Sequence, residues 1–240
     1  MPPRPALRYR VRRAAGPDDM AAVLALRSAR FRGLRAADGD RFDDACTHVM
    51  IEDERGLACT FRAMELAGGA GIGASYAAQH YDLGALASFG APMVELGRFC
   101  VRAGPADADV LRLAWGAVGR IVDGCGAGLL FGCSSFEGTG AAAHADAFAL
   151  LAARHRAPRR WAPARRAAET LRLVPHAHDA RAAMRGMPPL LRGYLGLGGW
   201  VSDHAVVDRD LSRMHVFTGL EIAAIPAPRL RLLRGLATAG

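Results

Sequence analysis

Lysine is missing from this sequence: all 31 basic side chains among its 240 residues are arginine. With 23 acids they leave a net charge of +8 and a pI near 10, a balance that ordinarily points to an anionic partner such as nucleic acid or a membrane surface. Arginine rises together with alanine and glycine along the whole chain, however, so part of that charge is a bias of the entire sequence, and no nucleic-acid partner is expected. Cysteine is scarce as well. Cys46, Cys59, Cys100, Cys125 and Cys133 form an odd set with no C-x-x-C, which argues against a disulfide framework and a zinc ribbon and fits a reducing compartment. No window approaches the roughly 18 apolar residues that a bilayer-spanning helix needs, and MPPRPALRYRVRRAAG lacks the apolar run of a secretory signal. A cytoplasmic protein is expected. GAGIG at residues 69–73 lacks the G-x-G-x-x-G order of a nucleotide loop, and GCSSFEG places Phe136 where a nucleophile elbow needs its second glycine. No metal-ligand cluster stands out, and no metal is expected.

What is present is the material of one core. The chain is 51% hydrophobic and 22% charged, enough for a single globular domain over residues 1–240. ALRYRVR alternates as an opening strand. PDDMAAVLALRSARFRGL reads as a helix with Pro17 in its first turn and Val23, Leu24, Arg27 and Phe31 near one stripe. The acidic loop AADGDRFDDAC, with Asp38, Asp40, Asp43 and Asp44, leads to THVMIED and GLACTFRAM, a hairpin around Glu54 to Gly56. Strand, helix and strand follow in APMVELGRFCV, residues 107–124 and GLLFGCSSF. Residues 154–185 carry nine Arg and three Pro and read as an excursion over the surface. The sheet resumes in GLGGWVSDHAVVDRD and MHVFTGLEIAAI. The fold class is therefore α/β in the α+β sense, a mixed sheet flanked by helices.

Some candidate chemistry has an ordinary structural reading. His48 and Asp53 have the H-x-x-x-x-D spacing of glycerolipid acyltransferases, where the acid orients a histidine that deprotonates an alcohol, but the pair lies on an expected strand. Cys100 and Cys133 fall on strands expected to be neighbours, and a free cysteine on an apolar strand is usually a small core residue. ELGRFCV differs in kind. It sets Glu95 and Arg98 inside a run fit for burial, and these join Arg27 and Phe31 on the first helix, Asp40 and Asp43 in the acidic loop and Arg62 in CTFRAM. Charged groups in apolar elements need one another, either as a buried ion-pair network or as a substrate site. Glu95 and Arg98 point to opposite faces of a flat strand, so a bulge at Gly97 is expected to turn both toward one pocket.

LRSARF, DGDRFDDACTHVMIED, CTFRAM, ELGRFCV, LFGCSSFEGT with HADAFALL, and LLRGYLGLGGWVSDHAVVDRD together resemble the L-ornithine Nα-acyltransferases of bacterial ornithine-lipid synthesis. The likeness covers roughly residues 8 to 225. That group belongs to the GNAT-like acyltransferases together with the acyl-homoserine lactone synthases, which share the pattern of Arg27, Phe31, Asp40, Asp43, Arg62, Glu95 and Arg98. The resemblance implies a mostly antiparallel central sheet whose strands splay at the acyl site. It implies transfer of a 3-hydroxyacyl chain from acyl carrier protein to the α-amine of L-ornithine, with no cofactor beyond the carrier's phosphopantetheine arm. In that reading Glu95 and Arg98 are catalytic, Glu95 as the base. The substrate-binding set is Arg27, Phe31, Asp40, Asp43 and Arg62, with Arg98 or Arg62 pairing with the ornithine carboxylate and Asp40 or Asp43 holding its side-chain ammonium. Backbone N–H groups at Phe99, Cys100 and Val101 stabilise the oxyanion. Glu95→Gln, nearly isosteric, is expected to spare the fold.

One departure concerns the donor. Where acetyl-CoA-dependent relatives open a helix with a glycine-rich pyrophosphate turn, this chain has VRAGPADADV, and Asp107 and Asp109 repel a pyrophosphate there. An acyl carrier protein fits better, its acidic surface meeting the Arg-rich stretch 154–185. The tail at about 227–240 places Leu230, Leu232, Leu233 and Leu236 among Arg229, Arg231 and Arg234, a basic amphipathic segment suited to an anionic membrane surface. Two other readings stand beside this one: an acyl-homoserine lactone synthase using S-adenosylmethionine, and a non-catalytic acyl-carrier or membrane-binding module.

Overall fold

The computed structural model describes residues 8–33, 36–104 and 107–238. In chain order its elements are β1 (Arg10–Arg13), α1 (Pro17–Phe31), β2 (Thr47–Asp53), β3 (Gly56–Leu66), β4 (Tyr81–Asp82), β5 (Met93–Val101), α2 (Ala108–Gly124), β6 (Leu129–Glu137), α3 (Ala145–Arg154), β7 (Ala164–Arg165), β8 (Thr170–Arg172), α4 (Ala180–Gly186), α5 (Pro189–Gly196), β9 (Trp200–Asp208), β10 (Arg213–Glu221) and α6 (Ala227–Thr238). They fall into two compact units, Met1–Met64 with Gly97–Asp123 and Arg231–Gly240, and Glu65–Leu96 with Gly124–Leu230.

In the first unit the strand order is β1-β2-β3-β5. The β2–β3 hairpin turns at Gly56, whose φ of 95° suits a residue without Cβ. α1 begins with Pro17, which has no N–H to leave orphaned, and carries Asp18 and Asp19 at its positive end. Asp19 accepts from Arg12 of β1 at 2.7 Å, and Arg12 also donates to Glu52 of β2 at 2.7 Å, so one guanidinium ties the helix to two strands. α2 buries Val110, Ala114, Ala117, Val118 and Ile121, which recur at helical spacing along one face.

In the second unit the order is β5-β6-β10-β9-β8. Met93–Leu96 of β5 pairs in parallel with Leu129–Gly132 of β6, and the remaining neighbours are antiparallel. Phe217 of β10 stacks between Phe131 and Trp200, with ring centroids 5.7 and 5.8 Å away, at the centre of a core that includes Tyr81, Met93 and Leu129. β4 and β7 form a separate two-stranded pair. The nine arginines of residues 154–185 are exposed, as a surface excursion requires. Yet the stretch does not simply pass over the surface, because β8 is the edge strand beside β9 and Leu173 is buried. Three residues are too few to show a period in the sequence.

α6 occupies the basic tail, though residues 239–240 lie outside the described residues, as does the side chain of Leu236. Among the described residues no helix is long and apolar enough to cross a membrane.

The end of the parallel ladder is tightly built. A Cβ on Gly132 would sit 2.2 Å from the carbonyl oxygen of Leu96, a backbone atom that cannot rotate away. Gly132→Ala is expected to lower stability by about 1–3 kcal/mol, read as a fall in the urea midpoint at unchanged slope; an unchanged midpoint would mean the two strands are free to separate there.

Candidate active site

The acidic loop and the elements facing it in the first unit build a closed network of charge. Asp38 is its hub, with no exposed surface. Its carboxylate accepts from Arg27 Nε at 2.9 Å, Arg98 Nε at 3.0 Å and Arg32 Nε at 3.1 Å, while its backbone N–H donates to Ser28 Oγ at 3.0 Å. Arg27, 1% exposed, also donates to the Asp38 carbonyl and to Asp43 Oδ1, the latter at 2.7 Å. Arg62 reaches Asp40 at 2.5 Å and Asp43 at 2.6 Å, and Arg98 closes the circuit on Asp40 at 3.1 Å. The Phe31 ring lies 5.7 Å from the Arg98 guanidinium, and the Phe42 ring lies at the same distance from that of Arg62. The five residues expected to bind substrate therefore come together, but largely by binding one another. Asp38, visible in the sequence only as one of four loop acids, belongs at their centre.

The charges hold each other in their ionised forms. Burial pushes the Asp43 carboxyl up, but hydrogen bonds from Arg27, from the Asp40 N–H and from Arg62 outweigh it and bring the value from 3.8 down to about 2. Asp40 is opposed by burial in the same way and held down by Arg62 and Arg98. His48 is lowered by desolvation, and its Nε2 lies 3.1 Å from the Asp43 carbonyl oxygen. Asp53 does not orient it, since that carboxylate pairs with Arg102 at 2.5 Å. The H-x-x-x-x-D spacing is thus structural.

Glu95 and Arg98 take separate partners. The Glu95 carboxylate, in the second unit and 4% exposed, accepts from the backbone N–H of Ala77 at 2.7 Å and of Tyr76 at 2.8 Å, at the start of the short 3-10 turn Ala77–Gln79. In β5, next to Gly97, Arg98 adopts the left-handed region with φ 51°. A Cβ on Gly97 would lie 3.4 Å from Arg62 Nε, in ordinary van der Waals contact with the side chain that passes over it. The swap Glu95→Gln is also less neutral than its shape promises, because one of two N–H donors would then face an NH2 group.

Phe99, Cys100 and Val101 follow Arg98, beyond the last parallel pair at Leu96 and Gly132. Cys100 is buried in the first unit and raises the pKa of Cys59, which burial already pushes well up; neither has the setting of a thiolate nucleophile. Cys133 lies on β6. Ser134 is buried and accepts from Thr218 Oγ1 at 2.9 Å, so GCSSFEG continues a strand and does not present a nucleophile. At the start of α2, Asp107 Oδ1 accepts from the Asp109 N–H at 2.9 Å and Asp107 Oδ2 from Tyr9 at 2.6 Å. Asp107 thus sets a carboxylate against the first turn of α2.

The fold and this arrangement define an acyltransferase of the GNAT type. A model of the GNAT acetyltransferase domain matches residues 21–116. The solved structure of FeeM, an N-acyl amino acid synthase from uncultured soil microbes, superposes with a TM-score of 0.53 over 96% of this chain and 98% of its own at 13% identity. Apo TofI gives 0.52 over 96% and 99% at 18% identity; both likenesses are of fold. Sequence relatives go further. The L-ornithine Nα-acyltransferase of Rhodobacter capsulatus is 32% identical over 196 residues, 78% of this chain and 76% of that protein, and the enzyme of the same name from Brucella abortus is 30% identical over 78% and 71%. The chain belongs to the L-ornithine Nα-acyltransferase family.

The network carries a pH signature. Because the Asp43 carboxyl is depressed in the folded state, its stabilisation is complete above its ordinary 3.8 and is lost as pH falls through about 2. Melting temperature is therefore expected to drop between about pH 4 and pH 2, and Asp43→Asn to start lower and respond less over that window. Parallel curves for the two proteins would remove Asp43 as the source.

Proposed function

We propose that this acyltransferase moves a 3-hydroxyacyl chain from acyl carrier protein to the α-amine of L-ornithine, giving lyso-ornithine lipid. The observation that carries the proposal is the sequence likeness to enzymes named for acylation of that amine, spread over about three quarters of both chains. The bonds balance simply. The amine nitrogen loses a proton and forms the amide, the thioester C–S bond breaks, and the phosphopantetheine sulfur leaves as a thiol. In this reading Glu95 takes the proton directly or through a water. Its oxygens each accept one backbone N–H, and a carboxylate has about four acceptor sites, so coordination to Tyr76 and Ala77 fixes the base without using it up. Backbone N–H groups at Phe99 to Val101 stabilise the oxyanion.

The amino acid's charges find complements in the network. Of its three carboxylates, Asp40 has the most exposed side chain, 22% against 11% for Asp43 and 0% for Asp38. Asp40 is thus the one suited to an incoming ammonium, while Arg62 and Arg98 beside it suit a carboxylate. Asp107 at the start of α2 disfavours a coenzyme A pyrophosphate and favours a donor presenting only a phosphopantetheine arm. The exposed arginines of residues 154–185 supply a basic face for an acidic carrier. The acyl-homoserine lactone reading retains a likeness of fold alone.

A single-chain amphiphilic product also gives α6 a purpose. Leu232 is 68% exposed between basic residues, a segment for reversible seating on an anionic membrane, to be checked by cosedimentation with anionic liposomes that fails at high salt.

Lipid mass spectrometry after expression in a host without aminolipids tests the function: a hydroxyacylated ornithine supports it, and a different acylated amine or none overturns it. With purified protein, Glu95→Gln is expected to cut turnover on the order of 100-fold and to lower stability by about 1–3 kcal/mol, so rates must be compared at a temperature where both proteins are folded. Parental turnover would leave Glu95 as a clamp and nothing more. Asp40→Asn is expected to raise the KM for ornithine about tenfold with little change in kcat; a fall in melting temperature with unchanged KM would make Asp40 structural.

A further inference from the structure

We propose that His80, Asp208 and His215, in the second unit, form a site for one divalent transition-metal ion of the zinc class. Their ligating atoms all lie within 4.8 Å of one another. They come from three segments: His80 follows the turn Ala77–Gln79, Asp208 ends β9, and His215 stands in β10. Strand register explains the convergence. Asp208 pairs with Arg213 and Val206 with His215, so Asp208, Arg213 and His215 share one face of the sheet. The His80 ring meets that of His215 edge-on at 4.8 Å, and its peptide is anchored at both ends, by its N–H to the Ala77 carbonyl and by its carbonyl from the Ala167 N–H, each at 3.0 Å.

A second, independent observation fixes which nitrogen of His215 is a ligand. Tyr81 donates its hydroxyl proton to the His215 carbonyl at 2.8 Å. A phenol has one proton, so the 3.1 Å contact between the same oxygen and Nδ1 is a bond that Nδ1–H donates. The lone pair of the ring is then on Nε2. Metal-ligating histidines are held in this manner by a partner on the other nitrogen, which sets tautomer and ring plane. Asp208 is likewise braced, its Oδ1 accepting from the Leu211 N–H at 2.9 Å. Two neutral imidazoles and one carboxylate are a borderline donor set, right for zinc or cobalt and wrong for magnesium or calcium. Atoms around a tetrahedral ion at about 2.0–2.1 Å lie roughly 3.3 Å apart, so the group has to draw in by about 1.5 Å at most, within the range of side-chain rotation. Arg213, opposite Asp208, is the competing cation.

The test is titration of chelator-treated, dialysed full-length protein with Zn2+ by calorimetry, and with Co2+ by its visible d–d bands. One saturating equivalent is expected, with a rise in melting temperature. His80→Gln and Asp208→Asn, both at half-buried positions, should each weaken binding on the order of 100-fold, and Tyr81→Phe by about 10- to 100-fold through loss of the tautomer lock. Arg213→Gln should tighten it. The pair His176 and His178, away from the cluster in sequence, is the control, and His176→Ala with His178→Ala should change nothing. No saturable binding, binding indifferent to His80→Gln and Asp208→Asn in proteins folded by circular dichroism, or binding lost with the control pair would each overturn the site.

Discussion

Everything distinctive about the first unit hangs on one carboxylate that has been taken entirely out of water. Removing Asp38 from solvent is costly, on the order of several kcal/mol even after relaxation, unless cations and donors replace the lost hydration. Three guanidiniums do so for the carboxylate, while Ser28 Oγ accepts from the Asp38 backbone N–H. Those groups come from three places, Arg27 and Ser28 from the buried stripe of α1, Arg32 from just beyond it and Arg98 from β5, so satisfying Asp38 fixes helix, loop and strand together. Among its described residues, the loop between α1 and β2 contains no regular structure beyond the 3-10 turn Asp43–Ala45. Charge pairing orders it. The buried network alone is weak evidence for stability, but it does set Asp40 at a defined place on its rim with Arg62 and Arg98 already oriented. Preorganised charge of this kind costs no rearrangement when a charged substrate arrives.

β5 shows how one strand serves two demands. Its first half lies in a ladder whose backbone contacts leave no room even for a Cβ at Gly132, and there Glu95 clamps two backbone amides. Its second half opens on a residue in the left-handed region. Such a conformation costs a non-glycine side chain about 1–2 kcal/mol, and it persists at Arg98 because the guanidinium is tied to both Asp38 and Asp40. Strain at Arg98 is therefore sustained by the same network that Arg98 helps to build.

The sequence made the network legible because Arg27, Arg62, Glu95 and Arg98 interrupt apolar elements, and burial makes ionised groups conspicuous. Asp38 was not separable from Asp40, Asp43 and Asp44, since a loop has no period to tell an inward carboxylate from an outward one. A bulge was expected at Gly97, and the positive φ falls on the next residue, Arg98, where alternation along the strand gives no sign of it. β8 escaped notice because three residues carry no period. His80, Asp208 and His215 form no motif along the chain. Their convergence depends on strand register, which a one-residue slip would abolish.

The donor proposed above rests on the same electrostatics applied to a helix end. The first turn of an α-helix offers unpaired amides and about half a positive charge. In a coenzyme A enzyme a pyrophosphate uses both. Here Asp107 uses them, through the Asp109 N–H, and is itself held below the ordinary carboxyl range by the Tyr9 hydroxyl and that amide. A fixed anion at that end offsets part of the helix dipole and would repel a pyrophosphate brought beside it. A carrier-borne phosphopantetheine brings one phosphodiester rather than a pyrophosphate and can leave that helix end alone. On that proposal the recognition energy comes from elsewhere, from the thioester arm and from charge on the carrier, to which the nine exposed arginines of residues 154–185 are suited.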